Sequence, residues 1–170
     1  MNEESAMADQ EHVEDPEAVA RPARAREVPL HTLLGLEFER PQKGARRAEV
    51  RMPVRPEAFG LTANLHGGAI ATLVDLACAL AAARSTDFDP LEQSLVTADM
   101  HIRYLGRART GTVIARSEVV RIGSQLIVVE CKVVDEEEHV IATADFSMMI
   151  VPLRRPLAPG MEPEPGAPEL

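Results

Sequence analysis

Asn64-Leu65-His66-Gly67-Gly68 followed by Ala69-Ile70-Ala71-Thr72-Leu73-Val74-Asp75-Leu76-Ala77-Cys78-Ala79-Leu80-Ala81-Ala82-Ala83 predicts one long buried helix. Past the two glycines the run is rich in Ala and Leu, holds no Gly or Pro, and stops at Arg84-Ser85-Thr86. From Gly67 to Ala83 such a helix is about 25 Å long. Apolar side chains fall on every face, which marks a core helix rather than an amphipathic surface one. It is too short and too Ala-rich to read as a membrane span, so no membrane insertion is expected. Between His66 and Arg84 the one charge is Asp75. A lone carboxylate in an apolar helix costs several kcal/mol unless paired, hydrogen-bonded or protonated, so Asp75 demands a reason.

Outward from this helix the pattern changes to period two. In Leu95 to Leu105 the even positions Val96, Ala98, Met100, Ile102 and Tyr104 are mostly apolar, and the odd positions Thr97, Asp99, His101 and Arg103 are polar. That alternation predicts a half-buried strand. Further strands are expected over Gly111–Arg121, Gln125–Val134 and Val140–Val151, with a polar turn at Asp135-Glu136-Glu137-Glu138. Before the helix, residues 30–35 read as a short helical turn closed by Gly35. Leu36–Glu39 and Arg46–Met52 read as two strands joined at Pro41-Gln42-Lys43-Gly44. Two strands, a buried helix and four long strands with short turns predict an antiparallel sheet curled around the helix. A helix apolar all round is more than one sheet can cover, so a second subunit is expected against it. Residues 1–29 are Ala, Glu, Pro and Arg without periodicity, and residues 152–170 are Pro-rich; both read as disordered tails around a single domain spanning 30–151.

Composition narrows the function. The chain has 170 residues and is 45% hydrophobic, enough for one domain with a real core. Trp is absent and Tyr occurs once, which removes the stacking platforms of single-strand binders. A net charge of −9 disfavours phosphate-backbone binding, so nucleic acid is not an expected partner. Cys78 and Cys131 form no metal-ligand or disulfide framework and read as reduced core thiols of a cytoplasmic protein. The N-terminus has no basic and apolar segments of a secretory signal. There is no Walker loop, Rossmann fingerprint or zinc-ligand set, so no metal or organic cofactor is expected.

Leu65-His66-Gly67-Gly68 with Thr72-Leu73-Val74-Asp75, then Val96-Thr97-Ala98-Asp99-Met100-His101-Ile102-Arg103-Tyr104-Leu105 and Gly111, then Arg121-Ile122-Gly123-Ser124, resembles the hotdog-fold thioesterases of the phenylacetyl-CoA (PaaI-like) type. The resemblance covers roughly residues 30 to 151. It implies an α+β hotdog fold, a six-stranded sheet wrapped round the helix. It also implies a homodimer or homotetramer that hydrolyses acyl-CoA thioesters without a cofactor. By the same resemblance, the Gly67 amide polarises the thioester carbonyl, Asp75 is the general base or nucleophile, and the Thr97 hydroxyl assists the attacking water. Asn64 and His66 join the catalytic set. Gly68, Tyr104, Arg121, Gly123 and Ser124 fall at substrate-binding positions, Tyr104 and Arg121 near the CoA moiety. The chain departs from the pattern at Gly60, where family members often carry Asn or Gln six residues before the His; Asn64 is the polar residue available to replace it.

Physical chemistry weighs the same residues independently. The first turn of a helix presents unpaired N–H groups and about half a unit of positive charge, suited to an oxyanion. Glycine lets an acyl carbonyl approach closely, although Gly67-Gly68 also simply permits a tight start to the helix. Gly67 and Asp75 are eight residues apart, about 12 Å along the axis. One thioester carbon cannot lie about 3 Å from both. If both serve one reaction they come from two chains whose helices run antiparallel across a two-fold axis. The purely structural reading of Asp75 is a buried carboxylate bonding across that interface, and that of His66 is a cap. Arg103, Arg107, Arg109 and Arg121 lie near strand ends, where they meet the CoA phosphates or are solvated edge charges. The first expectation is therefore an acyl-CoA thioesterase. The alternative is a non-catalytic acyl-CoA-binding hotdog protein, for which Gly60 speaks. A dehydratase or hydratase of the same fold would carry other motifs.

Overall fold

The computed structural model describes residues 28–40, 44–87, 89 and 92–152. Nearly all of both expected tails, and Pro41 to Lys43 of the expected turn, lie outside the described residues. Helix α1 spans Pro29–Leu34 and ends at Gly35 in the left-handed conformation, φ +64°. Strands β1 (Glu37–Phe38) and β2 (Arg47–Pro53) follow, then a short 3₁₀ turn at Pro56–Ala58. Helix α2 spans Gly67–Ser85 with Thr86 as its C-cap, where the sequence pattern places its end. Strands β3 (Gln93–Tyr104), β4 (Thr112–Ile122), β5 (Ile127–Asp135) and β6 (Val140–Pro152) complete the fold.

The six strands form one sheet in the order β1-β2-β4-β5-β6-β3, and every neighbouring pair is antiparallel. The sheet curls around α2. Leu73, Val74, Ala77, Cys78, Ala81 and Ala82 on the helix are buried against Val50, Met52, Val113, Val129, Val133 and Phe146 on the strands. Each large apolar side chain so buried contributes about 1.5–3 kcal/mol, and the helical alanines let the sheet approach closely. Two polar groups fix the helix within this core. The Ser117 hydroxyl on β4 reaches the Ala77 carbonyl at 2.7 Å. Arg84, buried at the end of α2, donates to the Glu39 carboxylate at 3.0 Å and to the Arg40 carbonyl at 2.9 Å. A cation there also suits the negative end of the helix. Cys78 and Cys131 are free and buried; the hydrogen bond to the Cys131 thiol, together with burial, pushes the Cys78 thiol far above its ordinary range.

One face of α2 is left without cover by its own sheet. Ala71, Thr72, Asp75, Leu76, Ala79, Leu80 and Ala83 are only half-buried. They recur at the three- and four-residue spacings of one helical stripe.

Two expectations need correction. The strand Leu95–Leu105 does not alternate in a single phase, because β3 carries a bulge between Thr97 and Asp99. Paired residues of antiparallel strands share a face. Thr97 pairs with the buried Met148, whereas Asp99 pairs with Ser147 and His101 with the exposed Asp145. Thr97 therefore faces α2 and does not share a face with Asp99, His101 and Arg103. In addition, β3 buries no residue fully within this chain, because it is the outer strand of the sheet. The second correction concerns Asp135, read as the first residue of a polar turn but found as the last residue of β5. It is buried, and its carboxylate accepts from the amides of Arg109 (3.0 Å), Glu137 (3.1 Å) and His139 (3.0 Å). Burial alone would raise its pKa, but these three donors outweigh burial and hold it below the usual carboxylate range.

Candidate active site

The start of α2 is organised by His66. Its Nδ1 accepts from the Gly68 amide at 2.9 Å, and its carbonyl accepts from the amides of Ala69 (2.9 Å) and Ile70 (3.2 Å). In the neutral ring the proton therefore sits on Nε2. His66 thus caps the helix, and of the first four helical amides only that of Gly67 donates no hydrogen bond among the described residues. A free N–H at the positive end of a helix is an oxyanion donor in waiting. The Tyr104 hydroxyl donates to the Gly67 carbonyl at 3.1 Å. That contact within one chain, between the end of β3 and the start of α2, carries no sequence signal beyond the resemblance.

A second cluster lies two turns along α2. The Thr97 hydroxyl donates to Asp75 Oδ1 at 2.7 Å. The β3 bulge beside Thr97 is what aims it at the helix, a common use of a bulge near a functional position. Asp75 sits on the half-buried stripe of α2, and its second carboxylate oxygen makes no hydrogen bond among the described residues. The unbroken helix keeps Gly67 and Asp75 of one chain about 12 Å apart.

The remaining expected site residues divide between these places. Gly68 adjoins Gly67. Asn64 does not turn toward the helix: its Nδ2 donates to the Thr62 carbonyl (3.2 Å) and hydroxyl (3.1 Å) within the loop. Gly60 lies against His66, and a Cβ there would sit 3.5 Å from His66 Cδ2, an ordinary contact. The position has room for a side chain that this sequence does not supply. Arg121, Gly123 and Ser124 form the β4–β5 hairpin, closed by the Gly123 amide on the Leu126 carbonyl at 2.8 Å. In register, Ile122, Ile127, Met148 and Thr97 share one row, while Tyr104 shares a row with Ala142 and Val133. The hairpin therefore lies at the level of Thr97 and about 20 Å along the strands from Gly67 and Tyr104.

The four arginines are likewise dispersed. Arg103 pairs with Asp145 at 2.9 Å on the outer face of the sheet. Arg107 and Arg109 lie in the exposed loop after Tyr104, with no side-chain ion pair among the described residues. Arg121 is exposed at the far end. Sequence reading also passed over Arg55, whose guanidinium donates to the Thr32 carbonyl at 3.1 Å and to the Leu33 carbonyl, fixing the end of α1. No group of three or more His, Cys, Asp or Glu that could hold a metal occurs among the described residues.

Comparisons with known proteins agree with this architecture. Residues 62–142 match the Thioesterase superfamily. The chain is 31% identical over 135 residues to the medium/long-chain acyl-CoA thioesterase YigI of Escherichia coli, covering 72% of this chain and 86% of that protein. Among solved structures, the BH2602 protein from Bacillus halodurans, determined with CoA, superimposes with a TM-score of 0.64 at 28% identity, covering 79% of this chain and 83% of the other. The PaaI protein of E. coli, from the phenylacetic acid degradation operon, shares the fold with a TM-score of 0.65 at 21% identity, covering 79% of this chain and 92% of the other. The antiparallel sheet wrapped around one long helix is the hotdog fold expected from the sequence, and the chain belongs to the thioesterase superfamily.

Proposed function

We propose that this protein is an acyl-CoA thioesterase, converting R–CO–S–CoA and water to the free acid and CoA–SH. The observation that carries this reading is the Thr97–Asp75 hydrogen bond at 2.7 Å on the uncovered face of α2. It gives a thioesterase-superfamily chain an anchored carboxylate whose second oxygen makes no hydrogen bond among the described residues. The acyl-CoA activity in the name of the YigI relative and the CoA in the BH2602 structure support the substrate class.

In this reading the thioester carbonyl accepts from the Gly67 amide. Asp75 takes a proton from water as the water attacks the carbonyl carbon. The negative charge that develops on the carbonyl oxygen is held by the amide and the helix end. Collapse of the tetrahedral intermediate breaks the C–S bond, and Asp75 passes the proton it took from water to the departing sulfur, so that CoA leaves as the thiol and the base is regenerated. Thr97 holds Asp75 Oδ1, so that the other oxygen faces the water. His66 keeps the Gly68 amide occupied and the helix start rigid, and Asn64 shapes the loop that precedes it. Tyr104 braces Gly67 through its carbonyl.

Because Gly67 and Asp75 of one chain are about 12 Å apart, each site takes Gly67 from one chain and Asp75 from another. A homodimer with antiparallel α2 helices does this, with a tetramer of two dimers as a larger form. Two features support it: the half-buried apolar stripe on α2, and the outer strand β3, which exposes Val96, Met100 and Tyr104. In such a dimer the Arg121-Gly123-Ser124 hairpin of one chain approaches the Gly67 end of the other. Arg107 and Arg109 beside Tyr104 are available to the CoA phosphates. We place the protein in the cytoplasm, with the folded domain at 30–151 between two tails. The test is thiol release from a panel of acyl-CoAs, run beside a binding measurement. Turnover supports the enzyme, and binding without turnover identifies the non-catalytic alternative that Gly60 raises.

A further inference from the structure

The face of the sheet turned away from α2 takes no part in the reaction above, and its charges fall in two rows. Register sets Arg47, Glu118, Glu130 and Asp145 side by side on β2, β4, β5 and β6. Two residues along each strand, about 7 Å away, Glu49, Arg116, Lys132 and Thr143 form the second row. Ala48, Ser117, Cys131 and Ala144 between the rows are buried, so both rows point outward.

Within one chain the middle of this face is poorly arranged. Arg47 pairs with Glu118, Arg103 with Asp145, and Arg116 with Glu49 and Glu138. Glu130, however, lies between Glu118 and Asp145, and Lys132 lies beside Arg116. Like charges directly opposite on neighbouring strands are destabilising. Glu130 and Lys132 are exposed, and neither forms an ion pair among the described residues. Glu138, which Lys132 also attracts, is already held by Arg116. Exchanging Glu130 and Lys132 would set each beside opposite charges of its own chain. A solvated face accounts for charge as such, but not for the less favourable of the two arrangements.

We infer that this face binds the same face of a second copy, about a two-fold axis that runs between the two rows. Such an axis lays each row on the other row of the second copy, strand by strand. Arg47 then meets Glu49, Glu118 meets Arg116, Glu130 meets Lys132, and Asp145 meets the Thr143 hydroxyl, each of the second copy. Symmetry makes every contact occur twice. On β3, His101 meets Arg103, which adds no attraction. Shape agrees with charge. A twisted sheet turned over about an axis across its strands presents the same saddle, and aligned sheets pack about 10 Å apart, within reach of long charged side chains. The face uses neither the α2 stripe nor the β3 edge, so it joins two of the dimers proposed above into a tetramer. It rests on that dimer for the size of the assembly alone.

Light scattering on the full chain at micromolar concentration and low salt tests this with the native protein, Lys132→Glu, and the exchange variant Glu130→Lys with Lys132→Glu. Melting temperature checks that both variants fold. The native chain should have the mass of a tetramer. Lys132→Glu sets a carboxylate against Glu130 at both symmetric contacts. It should raise the dissociation constant about a hundredfold or more, so that the mass halves. The exchange variant still opposes unlike charges across the axis and should recover the native mass. Thiol release per chain should stay near native in both variants, so activity reports on the thioesterase reading separately. A native dimer that Lys132→Glu turns into a monomer keeps this face and removes the α2 dimer instead. A folded Lys132→Glu chain of native mass overturns the proposal. So does a folded exchange variant that stays at half mass, or a native chain that is monomeric.

Discussion

Replacing Asp75 by Asn removes the proposed base with almost no change of shape. Thr97 Oγ1 donates to Asp75 Oδ1 at 2.7 Å, and an amide oxygen accepts the same bond, so the anchor survives. Its net worth falls from about 1.5–3 kcal/mol for a bond to a charged group to about 1 kcal/mol for a neutral one. Against that loss, a half-buried carboxylate no longer has to be held away from water. The two effects are of similar size, so stability changes by about 1 kcal/mol or less and the melting temperature moves by only a few degrees. Activity responds differently, because the amide cannot take a proton from water. Losing a general base lowers kcat by about 10²–10⁴, or roughly 3–5 kcal/mol of transition-state stabilisation. Thr97→Ala leaves the base and removes its anchor, so the loss is on the order of tenfold. Since Thr97 acts through Asp75, adding Thr97→Ala to Asp75→Asn should change kcat/KM by less than about twofold. Steady-state thiol release for the four chains gives the full cycle. A folded Asp75→Asn chain with kcat near the native value refutes this reasoning. So does a Thr97→Ala loss of the same size in both backgrounds.

Other perturbations reach other parts of the account. Asp135, Glu138 and Asp145 are held below their ordinary values, Asp135 by backbone amides against the effect of burial, Glu138 by Arg116 and Asp145 by Arg103. Depressed carboxylates contribute stability above their unfolded pKa, about 4, and lose it as pH falls through the folded one. The melting temperature should therefore drop below about pH 4 by scanning calorimetry. Asp135→Asn should lower it at pH 7 and flatten the acid limb; an unchanged acid limb would count against the three-amide anchor. Removing residues 1–28 and 156–170 should leave melting temperature and turnover nearly unchanged, and a loss of several degrees would show that a tail docks on the domain. Light scattering at micromolar concentration should give at least a dimer mass, because the α2 stripe and the β3 edge lack cover within one chain; a monomer mass would remove the shared site.

Much of the fold is legible in the residues themselves. An Ala- and Leu-rich run without Gly or Pro from Ala69 to Ala83, with glycines before and Arg84-Ser85-Thr86 after, bounds α2 almost to the residue. Strands β4 to β6 follow from alternation and turn chemistry. The order of the sheet does not, because β3 follows α2 in the chain yet pairs with β6 at the edge, a long-range contact that no local pattern encodes. The β3 bulge is similarly silent. Extending one alternating phase through Ala98 places Thr97 among the polar outer residues, and only pairing to Met148 shows that it faces Asp75. Asp135 reads as a turn acid beside three glutamates because its distinction is geometric: three amides converge on it. Arg55 had no sequence signal at all. At the site, the 12 Å between Gly67 and Asp75 is pure helix arithmetic, so the proposal that two chains share one site rests on the sequence as much as on the structure.

That need is the centre of the account, and complementation tests it most directly. Gly67→Leu blocks the amide position; a Cβ there would lie 3.5 Å from the Tyr104 ring, an ordinary contact with an exposed side chain that has space to move. Asp75→Asn removes the base. Each homodimer should be inactive. Mixed after dissociation and reassociation, half of the dimers are heterodimers, and each has one site with both lesions and one with neither. Random pairing therefore predicts recovery of about a quarter of native activity. Heterodimers confirmed by mass and found inactive would mean that Gly67 and Asp75 act from the same chain, or not in one reaction.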